Sequence, residues 1–342
     1  MAILYDGPVE PDAQTTFVRQ VPISDEFTLN QILPDRMFQD VAIDFEEIVR
    51  TNRAARFRTY DGRLHVSTRD AGSTKRVKLP PLSTSYNMGE YERLQFEFSR
   101  TGGTRTGALA TAIYNDSENG TREVQARMEL ARGDTLTDFK FTMMQANGEP
   151  PLESDFGAPA GHLVAPAVLW SNVTTATPLT DLVAWRQQMV NDGVTPVGIR
   201  LSLRMRQYLQ RNKEVIDAVF GATQGRTRVR TDELNGLLQS EGLPPVDTYD
   251  AKVDVDGATV SVIPDDRVLV YGANVGYTAW GISATALELV NSNQAELSFE
   301  DAPGIVGVVE KDGPPYRQFT YVDAVGMPII SNPRALLVAD AA

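Results

Sequence analysis

The 342-residue chain contains no cysteine. That excludes disulfides, a thiolate nucleophile and every cysteine-based zinc site, and it fits a reducing compartment. Histidine is scarce as well: His65 and His162 stand far apart, leaving no histidine pair for a metal or a proton relay. No apolar run approaches the roughly 18 residues that mark a membrane span, and the opening MAILYDGPVEPD has neither a basic start nor an apolar leader core. Neither a transmembrane helix nor a signal peptide is expected. Net positive charge is missing too: the formal charge is −13. A general nucleic-acid binder neutralises phosphates with basic surface, so that class is disfavoured. Thr101-Gly102-Gly103-Thr104 is not followed by Gly-Lys-Ser/Thr, which excludes a phosphate loop. The acidic pairs Glu46-Glu47, Asp265-Asp266 and Glu300-Asp301 have no orienting partner in the pattern and read as turn and surface residues. No enzyme, cofactor or metal is expected.

What is present is a folded composition, 42% hydrophobic and 23% charged, broken by one anomalous stretch. From Arg50 to Lys78 run nine cations (Arg50, Arg53, Arg56, Arg58, Arg63, Arg69, Lys75, Arg76 and Lys78) against Asp61 and Asp70, a local charge of +7. Large apolar residues there are few, and Asp70-Ala71-Gly72-Ser73 supplies turn chemistry. The stretch reads as a long basic hairpin without a core of its own. Two arms of about a dozen residues would reach roughly 40 Å, against a radius of gyration of about 20 Å for a compact chain of this length. An isolated ribbon is marginally stable in water. The stretch is therefore a surface loop, or an arm that lies on a neighbouring subunit or on nucleic acid. Only Phe57 and Tyr60 are available to stack on bases, which weighs against nucleic acid.

The first 47 residues are punctuated by Pro8, Pro11, Pro22 and Pro34 and carry ten acids against Arg19 and Arg36, a charge of −8. Opposite charges suggest that this arm and the hairpin meet, within or between subunits; two solvated faces are the alternative, because exposed ion pairs are weak. Val41, Ile43 and Phe45 alternate, as does Tyr91–Phe98, and both predict strands. Residues 106–132 predict one long helix, interrupted near Asn119-Gly120 and closed by Gly133. Thr177-Pro178 opens another helix, Val197–Leu203 is a strand, and helical sequence resumes at Arg204–Phe220 and Asp232–Glu241. His162 reads as a loop or packing residue. After Val246 the pattern turns to β, with Asp256-Gly257 as the strongest hairpin signal. Gly272–Gly281 (GANVGYTAWG) reads as a glycine-punctuated loop, and strands are predicted over 305–310 and 317–325.

The order of these parts carries a resemblance. An acidic arm precedes a basic extended loop that ends in Leu79-Pro80-Pro81-Leu82, and a long helix closes with ARMELARGDTLTD. Then come WRQQMVNDGVTPVGIRLSLRMRQYLQRNKEV, VDGATVSVIPDDRVLVYGANVGYTAWG and GVVEKDGPPYRQFTYVDAVGMPIISNP. From about Leu33 to Val338 the chain resembles the major capsid proteins of tailed bacteriophages, the lambda-type major capsid protein E family. No single piece is diagnostic; the specificity lies in order and spacing.

The resemblance implies an α+β chain with the Hong Kong 97-type capsid fold. It implies an N-terminal arm (1–51), an extended loop (52–90), and a peripheral domain (91–177, with a spine helix at about 106–132). An axial domain (178–295) and a C-terminal return to the peripheral domain (296–342) follow. It implies a major head protein that assembles with itself as pentamers and hexamers into an icosahedral shell. The shell encloses double-stranded DNA without sequence-specific binding, in the virion after assembly in the host cytoplasm. Scaffold, portal and decoration proteins are the implied partners, and no membrane is involved. An encapsulin-like compartment, with the same fold and protein cargo, is the alternative. Inter-subunit contacts are expected at Arg53, Arg56, Arg58, Arg63, Arg69, Lys75, Arg76 and Lys78 on the loop, and at Tyr277 and Trp280 on the axial-domain loop. Some relatives cross-link a loop lysine to an asparagine of the next subunit; Lys75 or Lys78 and Asn332 are the matching residue types, although this branch more often uses decoration proteins.

Overall fold

The computed structural model describes residues 2–3, 9–40, 42–48, 72–92, 94, 108–143, 152–221, 225–292, 297–314 and 317–342. The chain divides into two compact units. The first comprises Met1–Ile43, Val77–Arg132 and Thr278–Pro328, and the second Asp44–Arg76, Gly133–Tyr277 and Ile329–Ala342.

The first unit is built on a six-stranded sheet. Its path runs Ala2–Ile3, Val306–Asp312, Arg317–Ile330, Gly276–Gly281, Asp35–Met37, and Pro81–Met88 also pairs with Arg317–Ile330. The central strand Arg317–Ile330 is buried at nearly every position on both faces, the pattern of a strand covered on both sides. One face receives the long helix Ala108–Asp138 through Val124 and Met128, packed with Val322, Ala324 and Trp280. That helix is 31 residues long and unbroken, so Asn119-Gly120 does not interrupt it and Gly133 does not end it. Gly133 is there for space: a Cβ at this position would lie 2.1 Å from the Val262 carbonyl oxygen. The helix stops instead at Phe139, a buried residue in the left-handed region (φ 64°) whose N–H returns to the Thr135 carbonyl.

The N-terminal segment is not a string of proline-broken fragments. Pro11–Gln20 is a helix with proline in its first turn, where the missing N–H costs nothing, and Asp12 beside it favours the helix start. Val18, Val21, Leu29, Ile32 and Leu33 are buried. Ala42–Ile48 forms a strand, as the alternation predicts, and pairs with Gly72–Lys78 in a two-stranded ribbon separate from the other sheets. Gly72 and Ser73 therefore belong to the returning strand and not to a turn. Residues 90–92 are helical, against the strand predicted over Tyr91–Phe98; residues 95–98 lie outside the described residues.

The second unit holds a five-stranded sheet in the order Val246–Thr248, Pro196–Leu201, Arg267–Gly272, Leu336–Asp340, Leu163–Val164. Helices Pro178–Asn191, Leu203–Arg211, Lys213–Phe220 and Thr231–Ser240 contribute to its core, where Trp170 and Trp185 stack with ring centroids 5.6 Å apart. The helical run predicted over Arg204–Phe220 is two helices, because Asn212 ends the first and caps the second, accepting from the Glu214 N–H at 2.8 Å. The Asp256-Gly257 turn joins Lys252–Val255 to Ala258–Ser261, and both turn residues have positive φ, 54° and 82°. His162 is fully buried and lies between the Leu336 carbonyl (2.6 Å from Nδ1) and the Asp192 carboxylate (2.9 Å from Nε2). It joins the last strand of the sheet to the end of Pro178–Asn191.

Candidate assembly surfaces and the node beneath them

Within the first unit, one buried polar node fixes the path of the N-terminal segment. Glu129 has no exposed surface; it accepts the Leu29 N–H at 2.8 Å and Arg132 Nη1 at 3.0 Å. Arg132 also donates from Nη2 to Asp35 Oδ1 at 2.6 Å and from Nε to Thr278 Oγ1 at 2.8 Å. Trp280 Nε1 donates to the same Asp35 oxygen at 2.8 Å, and Thr278 Oγ1 donates to the Leu33 carbonyl at 3.0 Å. One guanidinium thus serves two carboxylates on two elements while the strand Asp35–Met37 pairs in parallel with Thr278–Trp280. Planar, fixed donors make arginine the side chain able to do this.

The N-terminal helix is held by side chains bonded to backbone. Thr15 donates to the Gly307 carbonyl at 3.2 Å, and Arg19 donates to the carbonyls of Ile305, Ala302 and Pro303 at 3.1–3.4 Å. Burial lowers the Arg19 pKa below its ordinary value, an effect that the nearby Asp301 opposes. Gly307 has to be glycine, since a Cβ would lie 2.7 Å from Val18 Cγ2. Beside this helix is a cleft of about 370 Å³ lined by Val18, Val21, Met37, Met128, Trp280 and Ile305 among others. Met37, at 60% exposure, is a large apolar side chain left open to solvent on an edge strand.

The basic ribbon is anchored through the strand that follows it. Leu79 is buried, and Pro81–Met88 runs antiparallel to Arg317–Ile330 in a register from Pro81↔Val325 to Met88↔Gln318. Thr84 and Tyr86 both donate to the Glu123 carboxylate on the long helix. Burial, the Glu123 hydrogen bond and negative charge nearby push the Tyr86 phenol up to about 12, so it remains a donor across the physiological range.

Of the residues singled out in the sequence, Arg53, Arg56, Arg58, Arg63 and Arg69 lie outside the described residues, as does His65. Lys75 and Arg76 sit on the strand Gly72–Lys78, and Lys78 at its end is exposed. Tyr277 and Trp280 require correction. They lie on a strand, Gly276–Gly281, not on a loop, and are buried to 8% and 5% exposure. The glycines that suggested a loop make room instead: a Cβ at Gly281 would meet Leu79 Cδ1 at 2.8 Å. The Arg132 node was not legible beforehand, because Glu129 and Arg132 look like ordinary helix-surface charges spaced three apart. Among the described residues, no group of three or more His, Asp or Glu side chains could hold a metal ion, and no helix is long and apolar enough to cross a membrane.

The sequence model of the family described as phage major capsid protein E matches residues 11–339. The chain belongs to the phage major capsid protein E family. No curated protein matches it. Among solved structures, the chain is similar to one described as the capsid protein of a prophage of E. coli CFT073. The TM-score is 0.60 at 14% identity, covering 96% of this chain and 97% of the other. A phage-related protein of Bordetella bronchiseptica RB50 gives a TM-score of 0.55 at 14% identity, covering 100% and 98%. The holo-SrpI encapsulin of Synechococcus elongatus PCC 7942 is farther off, with a TM-score of 0.42 at 10% identity, covering 94% and 90%. The α+β architecture is thus the Hong Kong 97-type capsid fold. Membership of the phage major capsid family favours a phage shell over an encapsulin-like compartment.

Proposed function

We propose that this phage major capsid protein closes into pentamers and hexamers of an icosahedral head around double-stranded DNA, with scaffold, portal and decoration proteins as its partners. In this reading it is a structural component of the virion with no catalytic role, put together in the host cytoplasm. The first unit acts as the peripheral domain with the long helix as its spine. The core of the second unit, including residues 178–270, acts as the axial domain that meets its copies around the rings.

The observation that carries the proposal is the ribbon Ala42–Ile48 with Gly72–Lys78. It joins neither large sheet, it is anchored through Leu79 and Pro81–Met88, and the 23 residues linking its strands carry six arginines against two aspartates. A marginal ribbon of this kind gains stability by lying on something else. In an acidic protein the available counter-surface is another copy, and a heterologous contact of that sort propagates into a ring. Arg53, Arg56, Arg58, Arg63, Arg69, Lys75, Arg76 and Lys78 are the proposed contact residues. The net acidity of the chain also suits a container, since an inner wall that binds phosphate weakly lets DNA be packed and released.

Replacing Arg56 and Arg58 with glutamate is expected to abolish shells while leaving a folded monomer. Negative-stain electron microscopy and light scattering of the chain produced with its scaffold would read this. Normal shells from the double variant would refute an electrostatic role for the loop.

A further inference from the structure

Two oppositely charged surfaces of the second unit remain unused by the reading above, and they are matched in size. Residues 203–230 carry seven cations against Glu214 and Asp217, a charge of +5; residues 247–266 carry six aspartates against Lys252, a charge of −5. We infer that, in the ring, the arginine strip at 226–230 of one copy docks on the aspartate-bearing hairpin Lys252–Ser261 of the next. This inference rests on the capsid reading and names the contact that closes its rings.

The strip is a built surface. Val229 is fully buried and its N–H donates to the Gln210 carbonyl at 2.9 Å. Gln210, itself 3% exposed, accepts Arg228 Nη2 at 2.8 Å and donates to Thr231 Oγ1 at 3.1 Å. The guanidinium of Arg226 lies 4.5 Å from the centroid of the Phe220 ring. With Val229 turned inward, the exposed Arg228 and Arg230 flank it. A cleft of about 460 Å³ lined by Gln210, Arg228, Val229, Arg230 and Thr231 opens beside them. Side chains held this way lose little freedom on docking.

The hairpin is a separate two-stranded sheet paired with neither edge of the five-stranded one. Asp254 and Asp256 are exposed on it, and Asp247 is exposed on the neighbouring edge strand Val246–Thr248. The two surfaces meet opposite ends of one helix. The Asp250 carboxylate accepts the Leu203 N–H at 3.0–3.1 Å, and Gln210 lies near the far end of the same helix, Leu203–Arg211. Nine residues of helix span about 14 Å. Different, complementary patches on one body make a head-to-tail contact, the type that closes rings. A copy of this chain is favoured as the occupant because it presents, on the hairpin, the charge complementary to the strip.

The test uses two full-length variants, Arg226→Glu/Arg230→Glu and Asp247→Lys/Asp256→Lys, each checked by circular dichroism for a folded monomer. Each alone is expected to lose rings and shells: the first variant turns the strip 226–230 from +3 to −1 against an unchanged aspartate hairpin, and the second turns residues 247–256 from −3 to +1 against an unchanged strip. Mixed in equal amounts they are expected to recover six-membered rings of alternating variants, while five-membered rings, which cannot alternate, stay absent. Assembly of wild-type shells should weaken with rising salt. Shells from either variant alone, or a mixture that stays dispersed, would overturn the contact while wild-type shells preserve the capsid reading. Normal assembly of the arginine variant with loss of packaged DNA would overturn it in favour of a phosphate partner. A wild-type chain that never assembles with its scaffold would overturn both.

Discussion

Replacing Arg132 with methionine should destabilise the first unit more than its conservative size suggests. The guanidinium is 4% exposed, Glu129 is 0% exposed and Asp35 is 33% exposed. Methionine keeps the length of the side chain but takes the guanidinium away from the buried Glu129 carboxylate, which still accepts the Leu29 N–H. Removing one partner of a buried ion pair costs about 3–5 kcal/mol. For a unit of about 150 residues, each kcal/mol moves the melting temperature by about 2–4 °C, so the expected loss is about 6–20 °C. Glu129→Gln in the same chain removes the unpaired charge while its amide oxygen can still accept from Leu29. The double variant should therefore melt above Arg132→Met, since a neutral replacement of a buried pair is far less costly than half of one. Thermal unfolding by circular dichroism under conditions that keep the chain monomeric is the assay. A loss below about 1 kcal/mol, or a double variant no better than the single, would refute the assignment of the node as the support of the N-terminal segment.

Three further outcomes are expected. Gly133→Ala would ordinarily stabilise a helix interior by about 0.5–1 kcal/mol, but here the Cβ meets the Val262 carbonyl, so a loss of about 1–3 kcal/mol in denaturant unfolding is expected. His162→Leu removes the donor from the Leu336 carbonyl and leaves the part-exposed Asp192 carboxylate with the Gln188 amide, and should cost about 1–3 kcal/mol in the second unit; retained stability would mean that water replaces the lost bonds. Asp134 has its pKa raised, chiefly by burial and further by Asp138 and Glu153, with the Thr142 N–H opposing. For a raised carboxylate the folded state holds the proton longer than the unfolded chain, so stability falls as pH climbs from the ordinary value of 3.8 through the raised one and stays lower above it. Asp134→Asn should thus raise the melting temperature at neutral pH and lose that advantage below about pH 4; an advantage unchanged at pH 3 would show a cause other than ionisation.

The parts of the fold that declared themselves in the sequence were governed by local chemistry. Thr177-Pro178 opens a helix, Asp256-Gly257 makes a two-residue turn, and Ile43 and Phe45 of the predicted alternation lie on a strand, because each signal acts within a few residues. Pro11 with Asp12 was such a signal too, obscured by the neighbouring prolines and the acidic composition. The errors arose where a residue serves a distant neighbour. Gly133 and Gly281 looked like punctuation, yet each is small because another segment passes close by. Trp280 looked like a loop aromatic, yet it is a strand residue whose indole N–H meets Asp35 from 245 positions away.

By itself, then, the sequence determined the class of molecule. Missing cysteine and histidine pairs ruled out thiolate and paired-histidine chemistry, the order of segments carried the capsid family, and the basic stretch announced a segment without its own core. Only the tertiary structure decided which charges are structural and which remain on the surface. Arg132 and Arg228 are both arginines in polar sequence, and nothing local distinguishes them. The first is enclosed by carboxylates and hydroxyls drawn from three segments, whereas the second lies on an exposed strip that a buried glutamine holds in place. Burial is a property of what packs above a side chain, and that is settled by contacts across the chain, not by neighbours along it.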